Sequence, residues 1–481
     1  MKQRFSITTG WLIYIVITVL ISFSACKVPA IQGNPSSVSL PSVYPGVSDS
    51  TNSSDMVWKQ FYHSEPLLSL IDTVMSNNQD LLISLEKIEY AKAHFQQASG
   101  LLLPQVNGVV SPSLRKFGLY TMDGAGNSST DMEPGKRVPV DLPDFYIGFQ
   151  SSWEADLWGK LKDRKRASLS RTLAAGEYTK LIRSSLVAET AITYYDLLAA
   201  DQEIRTLDQT IELQREALEL IRVQKEAAVV NELAVKQFEA QLLGMQGLRL
   251  QLAQRIIESE NKLSYLAGRP LPVITRDSLF FQSQPLPVLK TGIPGQLLVN
   301  RPDIRQTELE LLATKADLRA ARAAFLPSLQ ITGNLGLQGY LPGKLVLFPE
   351  AVAYNLMGGL TGPLLNKRNI KGEFAKISAQ QKEAFLQYQK TILRGFLEVD
   401  QEMKKSNNLY ELMTLKKQEA NVLSNAVEIA AELFKTGRSN YLEVLFARQH
   451  QLRVNLELIE TKKAQWVSSI NLYKALGGGW K

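Results

Sequence analysis

The chain has 481 residues, of which 45% are hydrophobic and 21% are charged, so its composition is that of a folded protein and not of a disordered one. Its 54 basic and 47 acidic residues give a formal net charge of +7, which gives no reason to expect nucleic-acid binding at this length. A single cysteine excludes a disulfide framework and a cysteine-based zinc cluster, and three scattered histidines leave little for a metal site.

The N-terminus predicts a bacterial lipoprotein signal. Lys2 and Arg4 precede an apolar stretch at residues 11–23, which is too short to cross a bilayer as a helix. Small residues then lead to the only cysteine, Cys26. We therefore expect residues 1–25 to be removed and Cys26 to be lipidated, with residues 26–65 as an extended tether rich in Pro, Ser and Asn. An ordinary secretory signal is the alternative.

Four short segments alternate between apolar and polar residues, as transmembrane β-strands do. They lie at residues 105–111, 145–154, 328–338 and 352–360, with loops at 118–143 and 340–350 inside the two pairs. No segment after Cys26 is long and apolar enough for a transmembrane helix, so a membrane-spanning form would be a closed β-barrel. Four strands cannot close a barrel, so several copies would have to combine. A soluble sheet packed on helices is the alternative.

Two long stretches without proline, from Pro143 to Pro270 and after Pro363, are rich in strong helix formers. We expect each to fold back once, near residues 227–231 and 436–440, where Gly437 would stop the helix. Shorter helices are predicted at residues 66–103 and 296–325. A heptad seam in the first long run is interrupted by one polar residue; its members are Ile204, Leu207, Ile211, Gln214, Leu218 and Ile221.

The two halves of the chain match in order and spacing, which predicts a tandem repeat. Residues 230–235 correspond to 439–444, and residues 261–268 correspond to 471–478. Repeat one would span residues 66–269 and repeat two residues 296–481, with a proline-rich linker at 270–295.

Four segments resemble the outer membrane factors of tripartite efflux systems, the TolC/NodT-type lipoproteins. They are SWEADLWGK from Ser152, NRPDIRQTELELLATKADLRAARAAFLPSL from Asn300, GRSNYLEVL from Gly437 and LYKALGGGW from Leu472. The resemblance covers nearly the whole mature chain. It implies a mixed α/β membrane protein, in which tandem-repeat helical hairpins form a periplasmic α-barrel and four strands per chain contribute to a trimeric, twelve-stranded outer membrane β-barrel.

The same resemblance implies a passive exit duct for small molecules, lipid-anchored in the bacterial outer membrane with a long periplasmic extension. Its partners would be two further copies of itself, outer membrane lipid, a periplasmic adaptor (membrane fusion) protein and an inner membrane transporter of the resistance–nodulation–division type, which supplies the energy. No nucleic acid is expected, and no cofactor apart from the covalent lipid on Cys26.

Family members often carry acidic residues just past the second turn, at the closed periplasmic aperture. Glu443 matches one such position, whereas the second is Phe446 here, and Ala234 is the first-repeat counterpart of Glu443. A trimer would present rings of Glu443 and Phe446, which are devices for cation preference and hydrophobic gating. The alternatives are a solvated carboxylate and plain packing between helices.

The family's adaptor-docking region corresponds to the two turns of this chain. The residues predicted to dock are Asn231, Glu232, Gly437, Arg438, Ser439 and Asn440. Arg438 has a second interpretation, stabilisation of a helix C-terminus. A basic cluster at residues 160–166 is expected to contact anionic lipid headgroups or simply to be solvated. Tyr146, Trp153 and Trp158 fit an interfacial aromatic belt, and core packing is the alternative.

Other functions are weaker fits. No GxSxG, HExxH or P-loop motif is present, so an enzyme is not expected. A periplasmic coiled-coil lipoprotein would explain the helices but not the four strands. Within the duct class, a type I protein-secretion duct and a metal-efflux duct stay open, although no cluster of Met or His argues for metal.

Overall fold

The computed structural model describes residues 29–30, 41–44, 51–276, 281, 283–363 and 367–481. Cys26 and the predicted signal lie outside these residues. The helices are α1 Trp58–Phe61, α2 Glu65–Asn77, α3 Gln79–Gly100, α4 Met122–Ser129, α5 Lys160–Glu226, α6 Glu232–Leu266, α7 Leu297–Asn300, α8 Pro302–Ala323, α9 Arg368–Lys435 and α10 Tyr441–Ala475. The strands are β1 Gln105–Lys116, β2 Asp131–Glu133, β3 Lys136–Arg137, β4 Asp141–Ala155, β5 Ser328–Gly339 and β6 Val352–Thr361. Short 3₁₀ turns occupy Ser53–Asp55, Pro294–Gln296 and Pro342–Lys344.

The long helices form two hairpins, as predicted. Helix α5 has 67 residues and α9 has 68, and each is followed by a helix of 35 residues. Both turns lie at the expected places. The apolar positions of the heptad seam are buried except for Ile204, which is partly buried. Gln214 within the seam is also buried, and its amide donates to the carbonyl oxygen of Phe238 at 3.3 Å.

Two predicted helices are each divided in the structure. Residues 66–103 split at Asn78, whose side chain accepts from the N–H of Leu81 at 3.1 Å and donates to the carbonyl oxygen of Leu266 at 2.8 Å. Residues 296–325 split at Arg301, which is extended because Pro302 follows it. The expectation of single helices was wrong, since it counted helix formers without the capping residue and the proline.

The four predicted strands form one antiparallel sheet in the order β1-β4-β5-β6. Strand β1 runs to Lys116, further than expected, and the first predicted loop contains α4 and the small β2–β3 hairpin. The central pairing joins the two halves of the chain, with Gly148 opposite Gly336. Among the described residues, the outer edges of β1 and β6 have no strand partner.

The register sorts the side chains of this sheet into two faces, because directly opposed residues point the same way. One face is apolar and largely exposed; it includes Val110, Ile147, Phe149, Leu335, Tyr354 and Leu356. The other face is polar and carries a row of four amides across all four strands, which are Asn107, Gln150, Asn334 and Asn355.

The chain forms two compact units, each drawn from both halves of the sequence. Apart from residues up to 35, the strand unit comprises Tyr90–Thr172 and Glu310–Phe385, including the four-stranded sheet. Its helices pack closely through Ala167, Ala313 and Ala316. Beside them, Arg319 donates to the buried carboxylate of Asp163 at 3.0 Å.

The helical unit comprises Ser36–Glu89, Leu173–Leu309 and Leu386–Lys481, and its core is rich in aromatic residues. Tyr195 stacks on Trp466 with ring centroids 4.5 Å apart, and Phe61 stacks on Tyr473 at 4.4 Å. Tyr44 is buried and stacks on Phe396. At Tyr44 the predicted tether is therefore packed against the helices, whereas residues 41–43 before it are exposed.

Two motifs that lie far apart in sequence meet in the helical unit. Arg301 of the Asn-Arg-Pro-Asp segment donates to the carbonyl oxygen of Ala475 at 2.8 Å, and also pairs with Asp303 and Glu398. Gly477 has φ +96°, and a β-carbon there would lie 2.5 Å from the carbonyl oxygen of Asn300. Gly477 of the C-terminal motif is therefore needed for this close approach.

Candidate functional site at the hairpin turns

The first turn, at residues 227–231, is closed by local hydrogen bonds. Asn231 caps α6, and its side-chain oxygen accepts from the N–H of Ala234 at 3.1 Å. Ala228 has φ +54°, a conformation uncommon for a residue with a β-carbon. The N–H groups of Ala228 and Val229 both donate back to α5, at 2.9 Å.

Glu232, which follows the cap, is exposed and forms an ion pair with Lys225 of α5. The amino group of Lys236 lies 4.0 Å from the same carboxylate. The hydrogen bond from Lys225 is the main reason why the pKa of the Glu232 carboxyl is lowered. Exposed pairs of this kind add little stability. The carboxylate of Glu232 is accessible to solvent at the surface of the turn.

The second turn, at residues 436–440, ends α9 through a left-handed glycine. Gly437 has φ +70° and its N–H donates to the carbonyl oxygen of Phe434 at 3.1 Å. The N–H of Arg438 donates to the carbonyl oxygen of Leu433 at 2.8 Å, which completes a Schellman motif. Asn440 caps α10 by accepting from the N–H of Leu442 at 3.0 Å. The predicted role of Gly437 as a helix stop is confirmed.

Two predicted site residues meet at the start of α10. The hydroxyl of Ser439 donates to Oε2 of Glu443 at 2.7 Å. Glu443 lies in the first turn of the helix, where a negative charge is favoured. Its side chain and that of Arg438 are exposed. The first-repeat counterpart of Glu443, Ala234, is buried.

Phe446 lies one helical turn beyond Glu443 and is 56% exposed, whereas Val444 and Leu445 between them are buried. Within one chain, Phe446 therefore does not fill the space between helices. Glu443 and Phe446 together present an acidic and an aromatic group on the open side of α10.

A small hydrophobic cluster joins the two hairpins next to the turns. The buried members are Leu218, Ile221, Ala234, Val235, Phe238 and Leu445. Phe238 of α6 also contacts the ring of Tyr441 of α10, with centroids 6.4 Å apart. The two turns are thus positioned by shared packing.

Arg448 was missed by sequence reasoning. Its guanidinium donates to the carbonyl oxygen of Leu213 on α5 at 3.3 Å, and burial lowers the pKa of Arg448. No sequence signal identifies it, because its partner is a main-chain group 235 residues away.

The basic cluster after β4 is partly used within the chain. Lys160 pairs with Glu154, Arg166 with Asp163, and the Lys165 amino group lies 5.5 Å from the ring centre of Phe95. Lys162 and Arg164 are exposed.

The three aromatic residues of the predicted belt are held by hydrogen bonds to main-chain oxygens. Trp153 Nε1 donates to Leu102 at 3.0 Å and Trp158 Nε1 to Pro327 at 2.7 Å. The hydroxyl of Tyr146 donates to Phe149 at 3.2 Å. The ring of Trp158 is 52% exposed.

Within the described ranges, no group of three or more His, Cys, Asp or Glu side chains is arranged to hold a metal ion. In the same part of the chain, no helix combines the length and the apolar character needed to cross a membrane.

Comparisons with known proteins agree over most of the length. A family model described as "Outer membrane efflux protein" matches residues 70–269 and 293–478. The pyoverdine export outer membrane protein OpmQ of Pseudomonas aeruginosa is 28% identical over 426 residues, covering 88% of this chain and 87% of OpmQ. The cation efflux system protein CusC of Escherichia coli is 26% identical over 443 residues, covering 90% and 91%.

The crystal structure of the open state of the MtrE outer membrane channel of Neisseria gonorrhoeae superposes on this chain with a TM-score of 0.81. The match covers 94% of this chain and 98% of MtrE at 20% sequence identity. The arrangement of long hairpins and four strands is therefore shared with a solved channel.

Proposed function

The chain belongs to the outer membrane efflux protein family, and on that basis we infer that it is the exit duct of a tripartite efflux pump. It is an outer membrane protein whose long helices extend into the periplasm, and it conducts small molecules out of the cell. The family is one of channels and not an enzyme class. We further propose that the protein carries out no catalytic step and needs no cofactor besides a covalent lipid on Cys26.

The observation that carries the duct function is the two-faced sheet, whose edges at β1 and β6 have no partner strand within the described ranges. Its apolar face suits the lipid, and its other face carries the amide row Asn107, Gln150, Asn334 and Asn355. Three copies would pair edge to edge into twelve strands, with the apolar face outward and the amides lining the lumen. Such a lining hydrogen-bonds polar solutes without favouring either sign of charge.

The partners follow from the same proposal. The turns would dock a periplasmic adaptor through Asn231, Glu232, Gly437, Arg438, Ser439 and Asn440, and the adaptor would connect the duct to an inner membrane transporter of the resistance–nodulation–division type. The exposed side chains of Trp158, Lys162 and Arg164 would contact the headgroups of outer membrane phospholipids.

We assign the periplasmic constriction to Glu443 and Phe446. Both are exposed on α10 in the single chain, so in a trimer three copies of each would face the axis. The carboxylates would favour cations, and the phenyl rings would restrict the hydrated opening.

Single-channel conductance in planar bilayers tests the duct and its constriction. The wild-type trimer is expected to give a small, cation-selective conductance, which grows and loses selectivity in the Glu443→Ala/Phe446→Ala variant. The matched control is Glu428→Ala/Ile429→Ala, an exposed acidic and apolar pair on the other helix of the same hairpin, and it should behave as wild type. Equal conductance of all three would remove the constriction from this site, and a folded trimer without conductance would contradict the duct.

A metal-efflux duct is the second candidate, and it is favoured by the similarity to CusC, a cation efflux system protein. Cells that express this chain with the adaptor and pump of a metal-cation efflux system would then gain resistance to that cation. A type I protein-secretion duct is the remaining alternative, and its mark would be secretion of a polypeptide by cells given the matching transporter.

A further inference from the structure

Five charged side chains meet between the two hairpins inside the helical unit, well away from the turns. This Arg255 cluster consists of Asp196 and Glu203 on α5, Arg255 on α6, and Glu460 and Lys463 on α10. It therefore connects the first hairpin to the second.

Arg255 contacts all three acids of the cluster. Its Nη2 lies 2.6 Å from Asp196, and its Nη1 lies 3.0 Å from Glu203 and 2.8 Å from Glu460. Lys463 adds contacts to Asp196 at 3.1 Å and to Glu460 at 2.5 Å. In this set of ion pairs, Asp196 and Glu460 each contact both cations, whereas Glu203 contacts Arg255 alone.

Charge counting shows that the cluster is unbalanced. Three carboxylates face two cations, so full ionisation would leave one excess negative charge in a poorly solvated place. The side chain of Glu203 is only 4% exposed, and its carboxyl lies within hydrogen-bonding reach of Glu460. Two carboxyl groups in such contact hold a proton between them.

The surroundings of the two carboxyl groups favour protonation of Glu203 over that of Glu460. Burial, and then the contact with Glu460, raises the pKa of Glu203 to about 8. Burial acts in the same direction on Glu460, but hydrogen bonds from Glu203, Lys463 and Arg255 outweigh it and lower the pKa of Glu460 to about 2.

We propose that Glu203 is a proton-controlled contact between the two hairpins of one chain, tight when its carboxyl is protonated and loosened when that proton is released to solvent. Ionisation replaces the Glu203–Glu460 hydrogen bond by repulsion between α5 and α10. In a duct, the two hairpins would then move apart more readily in alkaline surroundings, and this consequence alone rests on the proposed function.

The neighbouring titratable groups have partners outside the Arg255 cluster. Asp201 of α5 pairs with Arg276 at 2.8 Å, and Arg276 also contacts Glu260 of α6. On α10, Lys462 donates to the carbonyl oxygen of Gln284 at 3.0 Å. From α9, Lys416 reaches Glu457 at 2.6 Å, one helical turn before Glu460. Asp201 is therefore the matched control, because it is a half-buried acid on the same helix whose ion pair does not reach α10.

Amide hydrogen exchange of the purified full-length trimer, corrected for the intrinsic effect of pH, tests the proposal. Exchange in residues 196–207 and 456–467 should increase about tenfold or more between pH 6.5 and pH 9 in the wild type, since the proton is lost in this interval. Glu203→Gln should abolish the increase, because its amide is neutral at both pH values, whereas Asp201→Asn should keep it.

A pH response that survives in Glu203→Gln, or its absence from the wild type, would overturn the proposal. If Glu203→Gln does not assemble, Glu460→Gln serves instead: it balances the charges, and its response should be strongly reduced. Since exchange is measured without transport, a negative result here leaves the conductance test of the duct unaffected, and the reverse also holds.

Discussion

Gly148 on β4 and Gly336 on β5 oppose each other so closely that neither tolerates a side chain. A β-carbon on Gly148 would lie 2.4 Å from the α-carbon of Gly336, and one on Gly336 would lie 2.7 Å from the α-carbon of Gly148. The ring of Tyr146 covers the pair, 2.8 Å from the β-carbon position of Gly336. This contact joins strands from the two halves of the chain.

The first prediction concerns this glycine pair. Gly336→Ala should force β4 and β5 apart and destabilise the sheet by about 1–3 kcal/mol, lowering the yield of heat-modifiable trimer in the outer membrane. Gly358→Ala on β6 is the control, because a β-carbon there meets nothing within 4 Å. Equal trimer yields for the two variants would show that the sheet adjusts to the added methyl group.

The second prediction concerns Arg301, whose side chain is 7% exposed. Arg301→Ala should cost about 3–5 kcal/mol, because it leaves the carboxylates of Asp303 and Glu398 and the Ala475 carbonyl without their shared donor. The apparent melting temperature of the purified protein measures the loss. Arg305→Ala removes an exposed pair with Glu308 and should cost about 1 kcal/mol or less. A similar loss in both would contradict the special role of Arg301.

The third prediction concerns Gln214, the polar residue in the heptad seam. Gln214→Leu should leave stability unchanged or raise it by about 1 kcal/mol, because a buried amide in such a seam lowers stability while it fixes register. Gln214→Ala should lower it by about 2 kcal/mol or more, because a cavity remains. The melting temperatures of the wild type and the two variants test this prediction. A lower melting temperature for Gln214→Leu would mean that the hydrogen bond from Gln214 to Phe238 stabilises the protein more than apolar packing does.

The fourth prediction concerns the two loops of the strand unit, which meet where Glu133 pairs with Lys344 and with Lys136 at 3.0 Å. The hydrogen bond from Lys344, followed by that from Lys136, lowers the pKa of Glu133 to about 2. Folding lowers the pKa of the Glu133 carboxyl below its unfolded value, which is near 4.5. The ion pairs of Glu133 therefore stabilise the folded loops at pH values above 4.5, and this contribution is lost as the pH falls through about 2.

At neutral pH, Glu133→Gln should therefore speed tryptic cleavage after Lys344, because the lysine loses its ionic partner. Asp131→Asn, two residues earlier in the same strand, is the control and should be cleaved at the wild-type rate. Unchanged cleavage in Glu133→Gln would mean that the loops are held by other contacts.

The sequence predicted those features that depend on local chemistry. Alternation located the strands, the scarcity of proline located the long helices, and Gly437 located the second turn, because each acts through its own backbone. The splits at Asn78 and Arg301 were also locally encoded, by a capping side chain and by Pro302, but a count of helix formers does not register them.

The remaining features depend on which helix faces which. Helical periodicity places Glu203 on one face of α5 but does not reveal that Arg255 and Glu460 lie opposite, 52 and 257 positions further along the chain. For the same reason, Arg301 and Ala475 gave no sign of their contact. The aperture and docking residues stay predictions, since their roles depend on neighbouring copies and partners.

The contacts of Tyr473 and Lys481 with Met56 and Asp55 have a consequence for how the chain folds. The hydroxyl of Tyr473 donates to the carbonyl oxygen of Met56, 417 residues earlier, and Lys481 pairs with Asp55, 426 residues earlier. Contacts of such sequence separation form late, because the intervening chain must first be ordered. The helical unit therefore closes only after residues 473–481 have been synthesised, so the chain made before them stays open and competent for export as an unfolded polypeptide.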